Sequence, residues 1–265
     1  RQSGSSAAGV SRDFLMLSAH TKTEPMEYDF GVNPQLTIRT VAVGHEQRPV
    51  IVIDDLMRDP QSLVNFAAMA GGFRRLKHDA NYYPGVRAQV PQPYLASLYN
   101  AIKPLMRDTF GFPVDGPVKA NCSFSIATLP PERLNPFQRL AHFDSADSRQ
   151  LAVLHYLCDP SHGGTAFYRH RETGFESITE ERAASYLETL RRDIEINGPP
   201  PAQYLTGSDS RFEQIASFDA SFNRTLIYRS QMLHSGSVNG ACGFSDDPRT
   251  GRLTANAFFY VPSPG

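Results

Sequence analysis

The second half of the chain, from residue 118 to residue 260, consists mainly of short runs of β-type sequence separated by turn residues. The runs are rich in β-branched and aromatic residues, and Pro, Gly and Asp stand between them. No βαβ alternation is visible, and neither a GxGxxG motif nor a P-loop is present. A sandwich or barrel of sheets is therefore the expected core. The predicted strands cover Val118–Thr128, Gln150–Leu157, Thr165–Arg169, Arg224–Arg229 and Arg252–Tyr260.

Helical sequence precedes this core and interrupts it once, so that the predicted class is α+β. Within the core, Ser177-Ile-Thr-Glu180 has the pattern of a capping box, apolar residues at helical spacing follow, and Gly198 with three prolines ends the segment. Residues 1–35 are polar and aperiodic, which predicts a tail or a strap across the surface. The elements predicted between the tail and the core are strands over Leu36–Val43 and Val50–Ile53, a helix from Asp59-Pro60 to Gly71-Gly72, and a helix over Tyr94–Met106.

Composition narrows the classes of function. The chain of 265 residues carries 26 Lys and Arg against 27 Asp and Glu, a net charge of −1, so it lacks the surplus of cations that generic nucleic-acid binding needs. No segment approaches the ~18 apolar residues of a membrane helix, and no signal peptide is visible. Three scattered cysteines without a Cys-x-x-Cys motif are typical of a reducing compartment. We therefore expect a cytoplasmic protein that binds neither membranes nor nucleic acid, and the sequence leaves its oligomeric state open.

The segment Gln138-Arg-Leu-Ala-His-Phe-Asp144 contains the first candidate for chemistry. On an extended backbone His142 and Asp144 point to the same face, where an imidazole and a carboxylate can reach one metal ion. The spacing alone is weak, because roughly one His-x-acid pair is expected by chance at this composition. The chain has a second pair, His170-Arg-Glu172, which Thr173-Gly174 marks as a turn.

Two later segments give the pair a context. Leu226-Ile-Tyr-Arg-Ser-Gln-Met-Leu-His234 is a buried-strand pattern that delivers a second histidine, which would complete a set of two histidines and one carboxylate. The last predicted strand carries Arg252, Thr254 and Asn256 on one face. A guanidinium at that position can bind a carboxylate in a bidentate manner.

The ordered set of these motifs resembles the Fe(II)/2-oxoglutarate-dependent dioxygenases, and the prolyl-4-hydroxylase-like branch most of all. The resemblance covers roughly residues 118 to 260, with a weaker echo in Val50-Ile-Val-Ile-Asp-Asp55. It rests on His142-x-Asp144, Leu154-His-Tyr156-Leu157, Gly163-Gly-Thr-Ala-Phe167, His234 and Arg252, in that order.

This resemblance implies a double-stranded β-helix, or jelly roll, with flanking N-terminal helices and a helical insertion. Residues 36–265 would form one catalytic domain, and the insertion at about 175–217, longer than the usual link, would act as a lid. The implied iron ligands are His142, Asp144 and His234. Arg252 would bind the distal carboxylate of 2-oxoglutarate, assisted by Tyr156 and by Thr254 or Asn256, with Arg249 as the alternative anchor.

The implied activity is hydroxylation of an unactivated C–H bond. Fe(II) would be the bound metal, 2-oxoglutarate and O2 would be consumed, and succinate and CO2 would be released. The substrate would be a small molecule, an amino acid, or a peptide or protein side chain. Tyr82-Tyr-Pro-Gly-Val-Arg87 is a candidate substrate contact or a packed connection, and His155 is expected to be a core residue, on the sheet face opposite Tyr156. Two alternatives stay open, a zinc-dependent hydrolase with the same three ligands and a non-catalytic jelly-roll binding module.

Overall fold

The computed structural model describes residues 27–75 and 83–262. Within these ranges the chain forms three α-helices and ten β-strands, and none of the helices has the length and apolarity needed to cross a membrane. In chain order the elements are β1 (Thr37–Val43), β2 (Arg48–Asp54), α1 (Pro60–Ala70), β3 (Gly85–Gln89), α2 (Gln92–Asp108), β4 (Lys119–Ala127), β5 (Gln150–Tyr156), β6 (Gly163–His170), α3 (Glu180–Asn197), β7 (Phe212–Asp219), β8 (Thr225–Arg229), β9 (His234–Val238) and β10 (Leu253–Tyr260).

The strands form two antiparallel sheets. The larger sheet has seven strands in the order β1-β2-β8-β5-β10-β4-β3, and the smaller has three in the order β7-β6-β9. Apart from the pairs β1-β2 and β3-β4, the strands that are adjacent in the large sheet are distant in sequence, so most of its register depends on long-range pairing. Two antiparallel sheets with three helices are compatible with the predicted jelly roll.

The period-two alternation of strand side chains divides the core between the two faces of the large sheet. In β2, Ile51 and Ile53 belong to the apolar cluster formed with α1 and α2, whereas Val50 and Val52 belong to the cluster facing the small sheet. A third cluster joins the other side of the small sheet to Tyr186 and Leu190 of α3. The space between the two sheets is where inward-facing polar residues can form a site.

The predicted helices over 59–72 and 94–106 are confirmed, with α2 extending two residues further at each end. Asp59 caps α1 by accepting the Ser62 backbone N–H, and Pro60 occupies the first turn, where its missing N–H costs nothing. In α2 the buried positions, Tyr94, Leu98, Ile102 and Met106, recur every four residues. Burial of each such side chain contributes about 1.5–3 kcal/mol, so this face fixes α2 on the sheet.

The predicted capping box at Ser177 is wrong. The helix begins at Glu180 with Thr179 as N-cap, and Ser177 is buried in an isolated β-bridge with Met232. Ser177 is drawn out of the helix because the backbone there pairs with the chain just before β9, as the 2.8 Å bond from Ile178 N to Gln231 O shows. The predicted end of the helix at Gly198 is confirmed.

The prediction omitted strands β3, β7 and β9, and β7 falls largely within the segment predicted as a lid. The sequence of β9, His-Ser-Gly-Ser-Val, has little apolar content, and its strand character comes from pairing with β6.

Of the predicted N-terminal tail, residues 1–26 lie outside the described residues. Residues 27–35 pack as a strap across α1. The Phe30 ring meets Phe66 edge-on, and Asp29 accepts a 2.6 Å hydrogen bond from Arg58.

Candidate functional site

The three predicted metal ligands lie together at one end of the small sheet. His142 and His234 form an isolated antiparallel bridge and exchange both backbone hydrogen bonds, at 2.9 and 2.8 Å. A pair bonded in this way presents its side chains on the same face. The Asp144 backbone N–H donates to the carbonyl of Ser230 at 2.9 Å, which fixes the carboxylate beside the two imidazoles.

The side-chain atoms of these residues are close enough to hold one metal ion. His142 Nε2 lies 3.8 Å from Asp144 Oδ1, and His234 Nε2 lies 3.5 Å from Asp144 Oδ2. One donor atom from each residue lies within 4.8 Å of the others. Two imidazoles and one carboxylate are a ligand set that leaves coordination positions open on Fe(II) or Zn(II).

The surroundings of the two imidazoles suit metal binding. His234 Nδ1 lies 2.9 Å from the carbonyl of Met232 and donates a hydrogen bond to it, which directs Nε2 toward Asp144. The His142 side chain is 53% accessible through the cavity but is surrounded by protein, and this desolvation, followed by His234 and Arg87, lowers the pKa of His142.

The pKa of the Asp144 carboxyl group shifts in the opposite direction. Burial raises the pKa of Asp144, against the effects of His234 and Arg87, which lower it. A bound cation would add to those stabilising charges.

Aromatic rings hold His234 in place. The Tyr228 ring meets the imidazole at 4.9 Å in an edge-to-face contact, and the Phe167 ring lies 6.2 Å from it. Tyr228 is itself packed edge-on against Phe167 at 5.0 Å. His234 is thereby only 7% exposed, whereas the His142 side chain is 53% exposed. The centre is packed on the His234 side and open on the His142 side.

A cavity of about 510 Å³ opens from the three residues and runs between the sheets. Its wall includes all three candidate ligands and both Arg252 and Asn256. Asp144 is the one acidic side chain among the described residues that line it.

Arg252 is a buried cation in this cavity, with 6% of its surface exposed. Its Nη2 donates to the carbonyl of Gly164 at 2.8 Å, and its Cζ lies 5.8 Å from the centre of the Tyr156 ring. Among the described residues its Nε–H has no hydrogen-bond partner and no carboxylate forms an ion pair with it. The alternative anchor, Arg249, is half exposed and lies 3.7 Å from the carboxylate of Asp247.

Of the other residues predicted to bind the cosubstrate, one lines the cavity and two lie behind its wall. Asn256 lines the cavity, and its Oδ1 has no partner among the described residues. Tyr156 and Thr254 lie behind the wall: the Tyr156 hydroxyl is 2.6 Å from Thr165 Oγ1, and Thr254 Oγ1 donates to the carbonyl of Ser125 at 3.3 Å. Their roles toward 2-oxoglutarate stay predictions.

His155 is a core residue, as predicted. It lies on the helix side of β5, fully buried between the Tyr94 hydroxyl at 3.0 Å and Asn223 Oδ1 at 3.1 Å. The sequence did not identify Tyr228 as a cavity residue, because its direction depends on the register of β8. It gave Arg87 only as part of the segment Tyr82–Arg87, a substrate contact or a packed connection, and did not predict strand β3.

The fold and site together define a protein with two antiparallel sheets and a candidate metal centre of two histidines and an aspartate between them. A family model matches residues 34–259, and the chain belongs to that family, DUF6445, which is described as a family of unknown function. No curated protein matches the chain.

Among solved structures, the chain is similar to the crystal structure of EvdMO1, with 11% sequence identity and a TM-score of 0.33. The match covers 88% of this chain and 56% of that one, so this chain spans little more than half of its length. A likeness at this level carries no argument about activity.

Proposed function

We propose that this protein is an Fe(II)- and 2-oxoglutarate-dependent oxygenase that hydroxylates an unactivated C–H bond. The observation that carries the proposal is that one cavity is lined by His142, Asp144 and His234 and also by the buried Arg252. A metal-binding set explains the three ligands alone. A buried guanidinium without a carboxylate partner among the described residues requires an anion as well, and 2-oxoglutarate supplies one.

The strand order supports the finer description of the fold that we propose, a double-stranded β-helix. Strands β8-β5-β10-β4 form a four-stranded antiparallel block opposite β7-β6-β9. The bridge between His142 and His234 places the ligand-bearing segment beside β9, as a short fourth member of the smaller sheet. Two such four-membered sheets are what a jelly roll requires. We place residues 36–265 in this one catalytic domain.

The residues present fit the proposed group. Two imidazoles and a carboxylate would hold Fe(II), and Arg252, whose buried Nε–H has no partner among the described residues, lines the same cavity. When bound with 2-oxoglutarate and O2, Fe(II) supplies oxidative decarboxylation that yields succinate, CO2 and the oxidising power to hydroxylate a C–H bond. Arg252 would hold the far carboxylate of 2-oxoglutarate, and the hydrogen bond to Gly164 keeps its guanidinium aimed into the cavity.

The protein's own contribution is orientation and the exclusion of water. Tyr228 and Phe167 fix the His234 ring, and Met232 fixes its tautomer. Apolar residues of α3, Leu187 and Leu190, form part of the cavity wall. Because α3 belongs to the insertion at about 175–217, we propose that this insertion covers the site. For the substrate we propose a small molecule, an amino acid or a peptide side chain, met in the cytoplasm.

The decisive experiment is an anaerobic spectrum. Fe(II) and then 2-oxoglutarate are added to the purified protein, to Arg252→Met and, as a matched control, to Arg249→Met. We expect a metal-to-ligand charge-transfer band in the wild type and in Arg249→Met. In Arg252→Met we expect an apparent Kd for 2-oxoglutarate at least about 30-fold higher, since removing one member of a buried charge pair costs about 2–5 kcal/mol.

Absence of the band in the wild type at saturating Fe(II) and 2-oxoglutarate would contradict the proposal. Tight zinc binding with hydrolytic turnover that ignores 2-oxoglutarate would replace it with a zinc hydrolase. An equal loss in Arg249→Met would assign the anchor elsewhere.

A further inference from the structure

A second arginine, Arg87, lies in the same cavity and the proposed chemistry does not use it. It belongs to β3, at the edge of the large sheet. In the sheet register Arg87 pairs with Ser125, Ser125 with Thr254, and Thr254 with Tyr156. Residues directly opposite one another in antiparallel strands share a face, so this row points into the space between the sheets.

The Arg87 guanidinium is oriented by an aromatic ring and keeps a buried donor without a partner among the described residues. Its Cζ lies 4.8 Å from the centre of the Tyr83 ring, a cation–π contact that orients the planar group. Its Nε–H is buried and has no hydrogen-bond partner among the residues that the structure describes, and no carboxylate there forms an ion pair with it. A buried donor without a partner destabilises the protein, and a bound acceptor would remove that cost.

The charges of the cavity indicate a ligand with one negative charge. Arg87 and Arg252 share the cavity with one carboxylate, Asp144, and a histidine that ligates a metal ion is uncharged. A divalent metal ion and the dianion of 2-oxoglutarate cancel each other. One positive charge is then left over, and Arg87 is the cation without an assigned partner.

Part of the cavity rim is apolar. Phe137 and Leu187 line the cavity although they are 56% and 47% exposed, and Leu140 and Leu190 continue the wall inward. Large apolar side chains at the mouth of a cavity favour a ligand with an apolar body.

We propose that Arg87 binds the carboxylate of the prime substrate, and that this substrate is a monocarboxylic acid with an apolar body. This inference rests on the proposed oxygenase function and deepens it. A bidentate contact to Arg87 would fix one end of the substrate, and the contacts with Phe137 and Leu187 would direct the apolar part. Arg87 would thus select the substrate class, and Arg252 would bind the cosubstrate.

The test uses matched pairs of probes that differ only in charge: 4-phenylbutyrate with 4-phenylbutyramide, and N-acetyl-L-leucine with N-acetyl-L-leucinamide. Binding to the anaerobic protein with Fe(II) and 2-oxoglutarate is measured by calorimetry for the wild type, Arg87→Met, Arg87→Lys and Arg107→Gln. Arg107 is an exposed arginine on α2 paired with Asp108, and its loss controls for the change in net charge.

We expect at least one carboxylate to bind more tightly than its amide, and the Kd of that carboxylate to rise about 10- to 100-fold in Arg87→Met. The amide should bind equally to both proteins. Arg87→Lys should give an intermediate value because it keeps the charge and loses the planar fork. Arg107→Gln should match the wild type.

The outcomes separate this inference from the function on which it rests. If the wild type shows no charge-transfer band, the oxygenase proposal fails, and the same titrations on the zinc-loaded protein still decide whether Arg87 selects carboxylates. If no carboxylate binds better than its amide, or both members weaken equally in Arg87→Met, the inference is wrong. A lost charge-transfer band in Arg87→Met would assign Arg87 to the cosubstrate, and preference for phenyl phosphate over both acids would replace carboxylate with phosphate.

Discussion

The spacing His-x-acid occurs twice in this chain, and the two segments behave in opposite ways. In the first, His142 and Asp144 converge with His234 on the cavity, within 4.8 Å of one another. In the second, His170 is buried and its Nδ1 lies 2.9 Å from Thr173 Oγ1, while Glu172 points outward to Arg192 at 2.7 Å.

The difference arises from the backbone partners of each pair. The first segment is bonded to residues 230 and 234, which bring a third ligand with them. The second lies where β6 ends in a turn, and the Gly174 N–H returns to the His170 carbonyl at 2.8 Å. The turn gives His170 and Glu172 separate partners, Thr173 and Arg192, so the two side chains do not converge on a third metal-ligating residue among the described residues. A metal-ligand spacing therefore has meaning only when a distant strand completes the set.

The largest expected effect comes from removing a ligand of the first segment. In His142→Ala, Asp144→Ala and His234→Ala we expect affinity for Fe(II) to fall by more than about 100-fold, because even the loss of a residue that only orients a metal ligand costs 10- to 100-fold. Production of succinate from 2-oxoglutarate should fall with it. Anaerobic Fe(II) titration and a succinate assay measure the two effects.

The control for that series is His170→Gln in the second segment. It should retain Fe(II) affinity within a factor of about two, with circular dichroism used to verify folding. Equal losses in the two segments would mean that the convergence at His142 is not a metal centre.

An intermediate effect is expected at His155, a histidine that is structural for a different reason. Burial lowers its pKa to about 4, partly opposed by the bond with Asn223. The unfolded chain takes up this proton near pH 6.5 and the folded protein only near pH 4. The stabilisation is therefore complete above pH 6.5 and decreases as the pH falls toward 4, by about 3 kcal/mol in total.

Urea unfolding of the wild type and His155→Gln at pH 7 and pH 5 measures this contribution. The loss of unfolding free energy between the two pH values should be about 2 kcal/mol smaller in the variant, since glutamine does not titrate. Parallel losses would show that His155 takes up its proton equally in both states.

The smallest effect is expected from Glu172→Gln. The Glu172 and Arg192 side chains are 49% and 57% exposed, and an ion pair between such groups contributes less than about 1 kcal/mol. The melting temperature should change little and Fe(II) affinity should not change. A large loss of either would give the second segment a role that its geometry does not indicate.

Much of the fold could be predicted from the sequence, because its signals are local. The cap at Asp59, the end of the last helix at Gly198 and the β-branched run at Val50–Ile53 act within a few residues, and the structure has the element that each predicts. The capping box at Ser177 was wrong for the complementary reason. A β-bridge to Met232 competes for the same backbone and wins.

The site divides along the same line. The sequence by itself determined which residue types are available: the spacing of His142 and Asp144, a later histidine, and arginines at 249 and 252. Only the tertiary structure decided which of them meet. It brings His142 to His234, buries Arg252 in the cavity and leaves Arg249 exposed, and it turns Arg87 inward from an edge strand. The physical reason is that residue type and local alternation are properties of neighbouring residues, whereas the side chains that meet in the site are decided by pairing between strands that are distant in sequence.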